Sequence, residues 1–97
     1  MSVRRRYIIC YDIADPKRLY RTAKVCEAYG YRIQFSVFES ALDSMMLAKL
    51  CADLENIIHH DDDQILIIDL GRDNSSTPFH ITSLGVPYIK KSRITII

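Results

Sequence analysis

The sequence has few cysteines, no long apolar run and almost no net charge. Its three cysteines have no close spacing and no CxxC pair, which argues against a disulfide framework and against a zinc site. We expect Cys10, Cys26 and Cys51 to be buried reduced thiols that act as small hydrophobic residues. No apolar run reaches the roughly 18 residues that a membrane span needs, so we expect no membrane association. Because the net charge is only +1, any argument for a nucleic-acid partner depends on where the basic residues lie.

The composition is typical of one soluble globular domain. The chain has 97 residues, of which 48% are hydrophobic and 26% are charged, and this excludes a disordered protein. It contains no internal repeat and no low-complexity segment. The N-terminus is basic, but the apolar run behind it is too short for a signal peptide. We therefore predict a single cytoplasmic domain over residues 1–97.

An apolar run with one carboxylate lies near the start of the chain, at residues 7–13. Its sequence, Tyr-Ile-Ile-Cys-Tyr-Asp-Ile, predicts a strand that is buried on both faces. The strand should be followed by a helix, because Asp15 is suited to an N-cap and Pro16 to the first helical position. An ionised carboxylate is costly to bury without a partner. Asp12 is therefore either a functional group or a cap for the amides of the following loop.

The segment after Pro16 predicts a first helix with one basic face. An apolar stripe of Leu19, Ala23 and Cys26 has helical spacing. Gly30 should end the helix, since glycine takes a positive φ without strain. The basic residues are Lys17, Arg18, Arg21 and Lys24. Such a face is either a contact surface for nucleic acid or an ordinary solvated surface.

Residues 31–40 alternate between apolar and polar side chains. Ile33, Phe35 and Val37 have the period-two spacing of a half-buried strand, so we expect them to face the core. The pattern leaves open whether this is one strand or two short strands with a break between Gln34 and Ser36.

The second half of the core predicts one more helix and one more strand. Asp43 is a candidate N-cap for a helix over residues 44–58, which carries an apolar stripe. Residues 59–63, His-His-Asp-Asp-Asp, lack metal-ligand spacing, so we interpret them as a solvated connector in preference to a metal site. Residues 64–71 form a second continuous apolar run, which predicts a second buried central strand.

The order of these elements predicts an α+β fold. Strand, helix, one or two strands, helix and strand match the ferredoxin-like β-α-β-β-α-β sandwich, with a core at about residues 5–71. In that fold both helices cover one face of an antiparallel sheet. We expect a second subunit to cover the other face, which gives a homodimer. The C-terminal strands, at about residues 79–97, would extend the sheet or exchange with that subunit.

Several stretches of the chain resemble the second CRISPR-associated protein family, the small partner of the adaptation integrase. The stretches are Tyr11-Asp12-Ile13, Lys17-Arg18-Leu19 with Arg21 and Ala23-Lys24-Val25, Tyr29-Gly30, Arg32-Ile33-Gln34 and Ser36-Val37-Phe38-Glu39. Asp63 and Leu84-Gly85 also fit the family pattern. The resemblance covers residues 7 to about 71 well and the tail loosely. One departure is Tyr20, where relatives often have another basic residue.

The resemblance implies a protein of spacer acquisition. It implies a homodimer in which Asp12 of each subunit meets its counterpart near the two-fold axis and holds a divalent ion, usually Mg²⁺. Asp12 would then be the catalytic and metal-binding residue of an endonuclease, because the ion activates water and stabilises charge on the phosphodiester. The implied nucleic-acid-binding residues are Lys17, Arg18, Arg21 and Lys24, and the residues implied to shape the site are Tyr11, Ser36 and Phe38.

Three functions remain open at this point. The first is a metal-dependent endonuclease that uses the Asp12 pair on RNA or DNA. The second is a non-catalytic scaffold that binds duplex DNA together with the adaptation integrase. The third is a ferredoxin-like module that binds a small molecule or only another subunit, and it would be favoured if DNA binding did not respond to salt.

Overall fold

The computed structural model of the chain describes residues 3–73, 82–87 and 89. The elements are β1 (Arg5–Asp12), α1 (Pro16–Tyr29), β2 (Tyr31–Gln34), β3 (Val37–Leu42), α2 (Ser44–Glu55) and β4 (Gln64–Arg72). The four strands form one antiparallel sheet in the order β2-β3-β1-β4. The α+β class and the order of the core elements are therefore as predicted. Most of the predicted C-terminal strands lies outside the described residues, and residues 82–87 belong to no helix or strand.

The first strand is central, but only one of its faces is fully buried. Tyr7, Ile9 and Tyr11 are buried in the core with residues from both helices, whereas Ile8 and Cys10 are half-buried. The prediction of a strand buried on both faces is wrong for the single chain, because both described helices pack against the same face of the sheet.

Among the four described strands, β4 lies at an edge of the sheet instead of its centre. Ile65 and Ile67 of β4 pack against the core, while Leu66, Ile68 and Leu70 are 44–49% exposed. The prediction of a second buried central strand is therefore wrong. A continuous apolar run indicates two apolar faces, but it does not indicate whether the same chain covers both of them.

Residues 31–42 form two strands joined by a tight turn. Ser36 has a φ of 66°, which is uncommon for a residue with a side chain. The turn changes which side chains point inward, so that Phe38 is fully buried and Phe35 is 74% exposed. Of the two alternatives left open, the break near Ser36 is the correct one. The prediction that Ile33, Phe35 and Val37 face the core is wrong for all three, because Ile33 and Val37 are only half-buried and none of the three belongs to the core or packs against it.

The first helix begins as predicted and ends for a different reason. The Asp15 carboxylate accepts a hydrogen bond from the Arg18 N–H at 3.0 Å, which confirms the N-cap. Gly30 has a φ of −168° and is therefore extended, so the predicted positive φ is wrong. Glycine is needed here because a Cβ would overlap the Glu39 carbonyl oxygen and lie 2.7 Å from the Ser40 Cβ. The requirement is close approach of two backbone segments.

The second helix has the predicted N-cap but is shorter than predicted. Asp43 accepts a hydrogen bond from the Met46 N–H at 2.8 Å, and the helix ends at Glu55 instead of residue 58. Leu50 and Leu54 are its buried residues. Neither described helix combines the length and the apolar character needed to cross a membrane.

The three cysteines are free thiols, as predicted. Cys26 is buried, but Cys10 and Cys51 are half-buried, so the prediction of burial is wrong for these two. Burial raises the pKa of the Cys26 thiol to about 12. This thiol therefore stays protonated and unreactive at neutral pH.

Candidate functional site

Asp12 is the last residue of β1 and lies on the sheet face opposite the helices. It is exposed and stands directly opposite Gln64 of β4. In the described part of the chain it makes no hydrogen bond or ion pair. The following loop is capped by another carboxylate, because the Ala14 N–H donates to Asp63 at 2.9 Å. Asp12 is therefore neither a loop cap nor the buried carboxylate that the sequence predicted, and it is open to a ligand from solvent.

Asp63 is the carboxylate that this region buries. Its side chain is 0% exposed, and the Arg18 guanidinium donates to it from Nε at 2.7 Å and from Nη2 at 3.2 Å. The backbone N–H groups of Ala14 and His59 also donate to it, at 2.9 and 2.8 Å. The Arg18 guanidinium, aided by these two amides, holds the pKa of the Asp63 carboxyl well below its usual range.

The Arg18–Asp63 pair joins three segments next to the candidate site. It links α1 to the loop after β1 and to the connector before β4, across 45 residues of sequence. Planar bidentate contact of this kind fixes the relative orientation of the groups that it joins. Sequence reasoning noted Asp63 only as part of a solvated connector and as a match to the family pattern. The sequence signal that could have indicated a structural role for Asp63 was its position directly before an apolar strand.

The basic face of α1 is exposed at three of its four predicted positions. Lys17, Arg21 and Lys24 are exposed, whereas Arg18 is half-buried against Asp63. Lys24 lies 3.6 Å from Glu27, both of them solvated, and such pairs contribute little. The structure thus leaves Lys17, Arg21 and Lys24 available to an anionic partner. The phosphate contact predicted for Arg18 stays a prediction.

Tyr11, Ser36 and Phe38 lie together, but not beside the Asp12 carboxylate. The Tyr11 N–H donates to the Ser36 carbonyl oxygen at 3.1 Å. The Tyr11 and Phe38 rings are stacked with centroids 6.2 Å apart, and burial raises the pKa of the Tyr11 hydroxyl. Both side chains point toward the helices, whereas Asp12 points to the other face. They fix the end of β1, and their predicted role in shaping the site stays a prediction.

The described residues form no ready-made metal site around Asp12. Within residues 3–73, 82–87 and 89, no three His, Cys, Asp or Glu side chains are placed to hold a metal ion together. Mg²⁺ is commonly held by one or two carboxylates, with waters and substrate phosphates completing its shell. An exposed carboxylate such as Asp12 fits that donor set, provided that a second copy supplies another.

The sequence of residues 5–77 matches the family model described as CRISPR associated protein Cas2. This chain belongs to the Cas2 family. It is 40% identical over 65 residues to a protein of Rhodospirillum rubrum named CRISPR-associated endoribonuclease Cas2 1, a match that covers 67% of this chain and 64% of that relative. The chain thus spans just under two thirds of that Cas2 relative's length. With the CRISPR-associated endoribonuclease Cas2 of Geobacter sulfurreducens it shares 35% identity over 79 residues, which are 81% of this chain and 82% of that one.

A solved Cas2 structure has a similar fold. The crystal structure of Streptococcus pyogenes Cas2 at pH 6.5 superposes with a TM-score of 0.64 at 34% sequence identity, covering 68% of this chain and 86% of that one. The resemblance to the second CRISPR-associated family is therefore confirmed, and so is the α+β architecture of the Cas2 core.

Proposed function

We propose that this chain acts in CRISPR spacer acquisition as a homodimer of ferredoxin-like protomers, and that it hydrolyses phosphodiester bonds of nucleic acid with Mg²⁺ at a pair of Asp12 carboxylates. The observation that carries the proposal is the position of Asp12, exposed at the end of a central strand on the face of the sheet that neither described helix covers. The names of the Rhodospirillum rubrum and Geobacter sulfurreducens relatives, both called endoribonucleases, support it. The predicted cytoplasmic location stays a prediction.

The face of the sheet opposite the two described helices supports the homodimer. Ile8 stands opposite Ile68 and Cys10 opposite Leu66, so these side chains share the face that also carries Asp12. An exposed apolar surface of this kind on a small chain is typical of a contact with another protein. A two-fold contact uses the same surface of both copies. A two-fold axis near the end of β1 would bring the two Asp12 carboxylates together.

Different residues of the chain would have different roles at such a site. Two Asp12 carboxylates would hold Mg²⁺, which when bound lowers the pKa of a water molecule and stabilises negative charge on the phosphate. The exposed cations of α1, Lys17, Arg21 and Lys24, would bind phosphates on either side. Arg18 would act through Asp63, by fixing the loop that follows Asp12.

The test is cleavage of labelled single-stranded RNA and double-stranded DNA, each with Mg²⁺ and with EDTA. Asp12→Asn keeps the size of the side chain and removes its charge, so it should abolish metal-dependent cleavage. Asp61→Asn, at an exposed carboxylate of the connector, is the matched control and should cut as the wild type does. Full activity of Asp12→Asn would contradict the proposed site. The nucleic acid that is cut identifies the substrate.

The second candidate is a non-catalytic scaffold that binds duplex DNA with the CRISPR adaptation integrase. It is favoured by the basic face of α1, which is exposed independently of Asp12. The scaffold predicts that Asp12→Asn keeps its affinity for duplex DNA, co-purifies with the integrase and still supports spacer acquisition in cells. If wild-type protein, shown by light scattering to be a dimer, cuts neither nucleic acid, the scaffold replaces the nuclease as the proposed function.

A further inference from the structure

A cavity of about 210 Å³ lies beside the basic face of α1. One wall is a single helical stripe that includes Leu19, Tyr20 and Ala23. The opposite wall is formed by Arg32 of β2 and by Phe35 of the turn between β2 and β3. The cavity is on the helix side of the sheet, so it is distinct from the face that carries Asp12.

Two aromatic rings flank this cavity and remain open to solvent. Tyr20 is 64% exposed and Phe35 is 74% exposed, although aromatic side chains usually bury most of their area. Neither belongs to the residues that form or pack against the core. Each ring therefore keeps solvent-exposed surface on which a planar ligand can stack.

Positive charge surrounds the same rings. The Arg32 guanidinium lies 5.9 Å from the Phe35 ring centroid and 5.0 Å from that of Phe38. The Lys24 ammonium lies 5.4 Å from the Tyr20 centroid. Lys17 is three residues before Tyr20 and so lies on the neighbouring helix surface. Arg32 also approaches Glu27 at 3.8 Å, both partly solvated, so its charge is not fully neutralised.

We propose that this cavity receives one unpaired nucleobase of a nucleic acid whose phosphates lie along Lys17, Arg21 and Lys24. Aromatic rings and arginine planes are the surfaces on which proteins stack unpaired bases, and exposed cations next to them hold the backbone. The cavity is smaller than the roughly 300–1,000 Å³ of sites for drug-sized ligands, so it suits a single ring system. A base inside a duplex is already stacked and paired and must leave the helix to enter.

This inference rests on the proposed nucleic-acid binding and adds to it a preference for unpaired nucleotides. The site distinguishes unpaired positions, such as a single-stranded overhang or a single-stranded RNA, from continuous duplex. The exposed α1 cations alone make no such distinction, because phosphate contacts carry no information on base pairing.

The experiment compares a DNA duplex that carries a 3′ overhang with the same duplex made blunt. The overhang contains 2-aminopurine, whose fluorescence is quenched by stacking, and a single-stranded RNA of the overhang sequence is titrated in parallel. Phe35→Leu keeps an apolar side chain and removes the ring, whereas Phe35→Tyr keeps the ring. Met45→Ala, which truncates a 67% exposed side chain on α2, is the control for loss of an exposed apolar group.

We expect the wild type to bind the overhang duplex more tightly than the blunt duplex and to quench 2-aminopurine. Phe35→Leu should weaken binding of the overhang by about 5- to 150-fold, the range of one lost base–aromatic stack. Phe35→Tyr and Met45→Ala should bind it as the wild type does. Phe35→Leu should lower the affinity for either the DNA overhang or the single-stranded RNA more strongly. The ligand with the larger loss of affinity identifies the nucleic acid that supplies the base.

The outcomes separate this site from the function on which it rests. Salt-dependent wild-type binding that is equal for overhang and blunt duplex overturns the base site and leaves nucleic-acid binding intact. Unchanged overhang affinity in Phe35→Leu overturns the site as well. If the wild type binds none of these nucleic acids, both the site and the proposed function fail.

Discussion

The salt dependence of DNA binding tests the proposed role of the α1 basic face quantitatively. Lys17, Arg21 and Lys24 are exposed and share one helix surface. Each lysine or arginine that contacts a phosphate of duplex DNA adds about 0.9 to the slope of log affinity against log salt. Replacing all three by alanine should therefore lower the magnitude of the slope by about 2.7. Between 50 and 200 mM salt, wild-type affinity should then fall about 40-fold more than that of the variant.

The assay is fluorescence anisotropy of a labelled blunt duplex at several salt concentrations. Lys17→Ala alone should lower the slope, whereas Lys49→Ala, at an exposed lysine of α2, should leave it unchanged. In a homodimer each contact occurs twice, so a duplex that reaches both protomers would lose up to twice the slope. An unchanged slope in the triple variant would refute a phosphate contact on this face. Arg18→Gln measured in the same way decides whether Arg18 adds a contact despite its pair with Asp63.

Two further predictions concern stability. Gly30→Ala should lower the free energy of unfolding by about 1–3 kcal/mol, because the added methyl group meets the Glu39 backbone. Urea denaturation measures this free energy. A variant as stable as the wild type would contradict the close approach of the Gly30 and Glu39 backbones. The pKa of the Asp63 carboxyl is lower in the folded chain than in the unfolded chain. The ionised carboxylate therefore stabilises the fold above the unfolded pKa of about 3.9, and this stabilisation is lost as the pH falls toward the folded pKa. Denaturation at pH 7 and at pH 3 should therefore show a smaller acid loss for Asp63→Asn than for wild type, and equal losses would exclude the Asp63 carboxylate as the source.

Local sequence signals predicted the elements whose ends are set by local chemistry. Asp15 and Pro16 placed the start of α1 correctly, and Asp43 placed the start of α2, because an N-cap is an interaction over three residues. The turn at Ser36 had no such signal, since neither glycine nor asparagine stands at its positive φ. The exposure of Phe35 followed from that turn and was missed for the same reason.

The sequence predicted where Asp12 lies in the fold, but it did not predict which groups surround it. The apolar run placed Asp12 at the end of a central strand, but a continuous run could not show that both described helices would pack on the other face of that strand. The pairing of Arg18 with Asp63 spans 45 residues, and no periodicity connects positions so far apart. Arg18 therefore looked equivalent to Arg21 in the sequence, whereas the fold separates a cation engaged by a buried carboxylate from one that is free to meet solvent.

Among the described strands β4 lies at an edge of the sheet, and an irregularity in its pairing with β1 bears on how far copies of this chain can associate. An edge strand with an apolar row can act as a template on which further chains pair without limit. Here the register with β1 shifts between Arg6 and Tyr7, and Gly71 nearby has a φ of 100°. Asp69, held by Arg5 at 2.9 Å, also places a charge on this edge. Because bulges and charges interrupt continuous pairing, we expect assembly to stop at a small closed number of copies and not to grow into fibres.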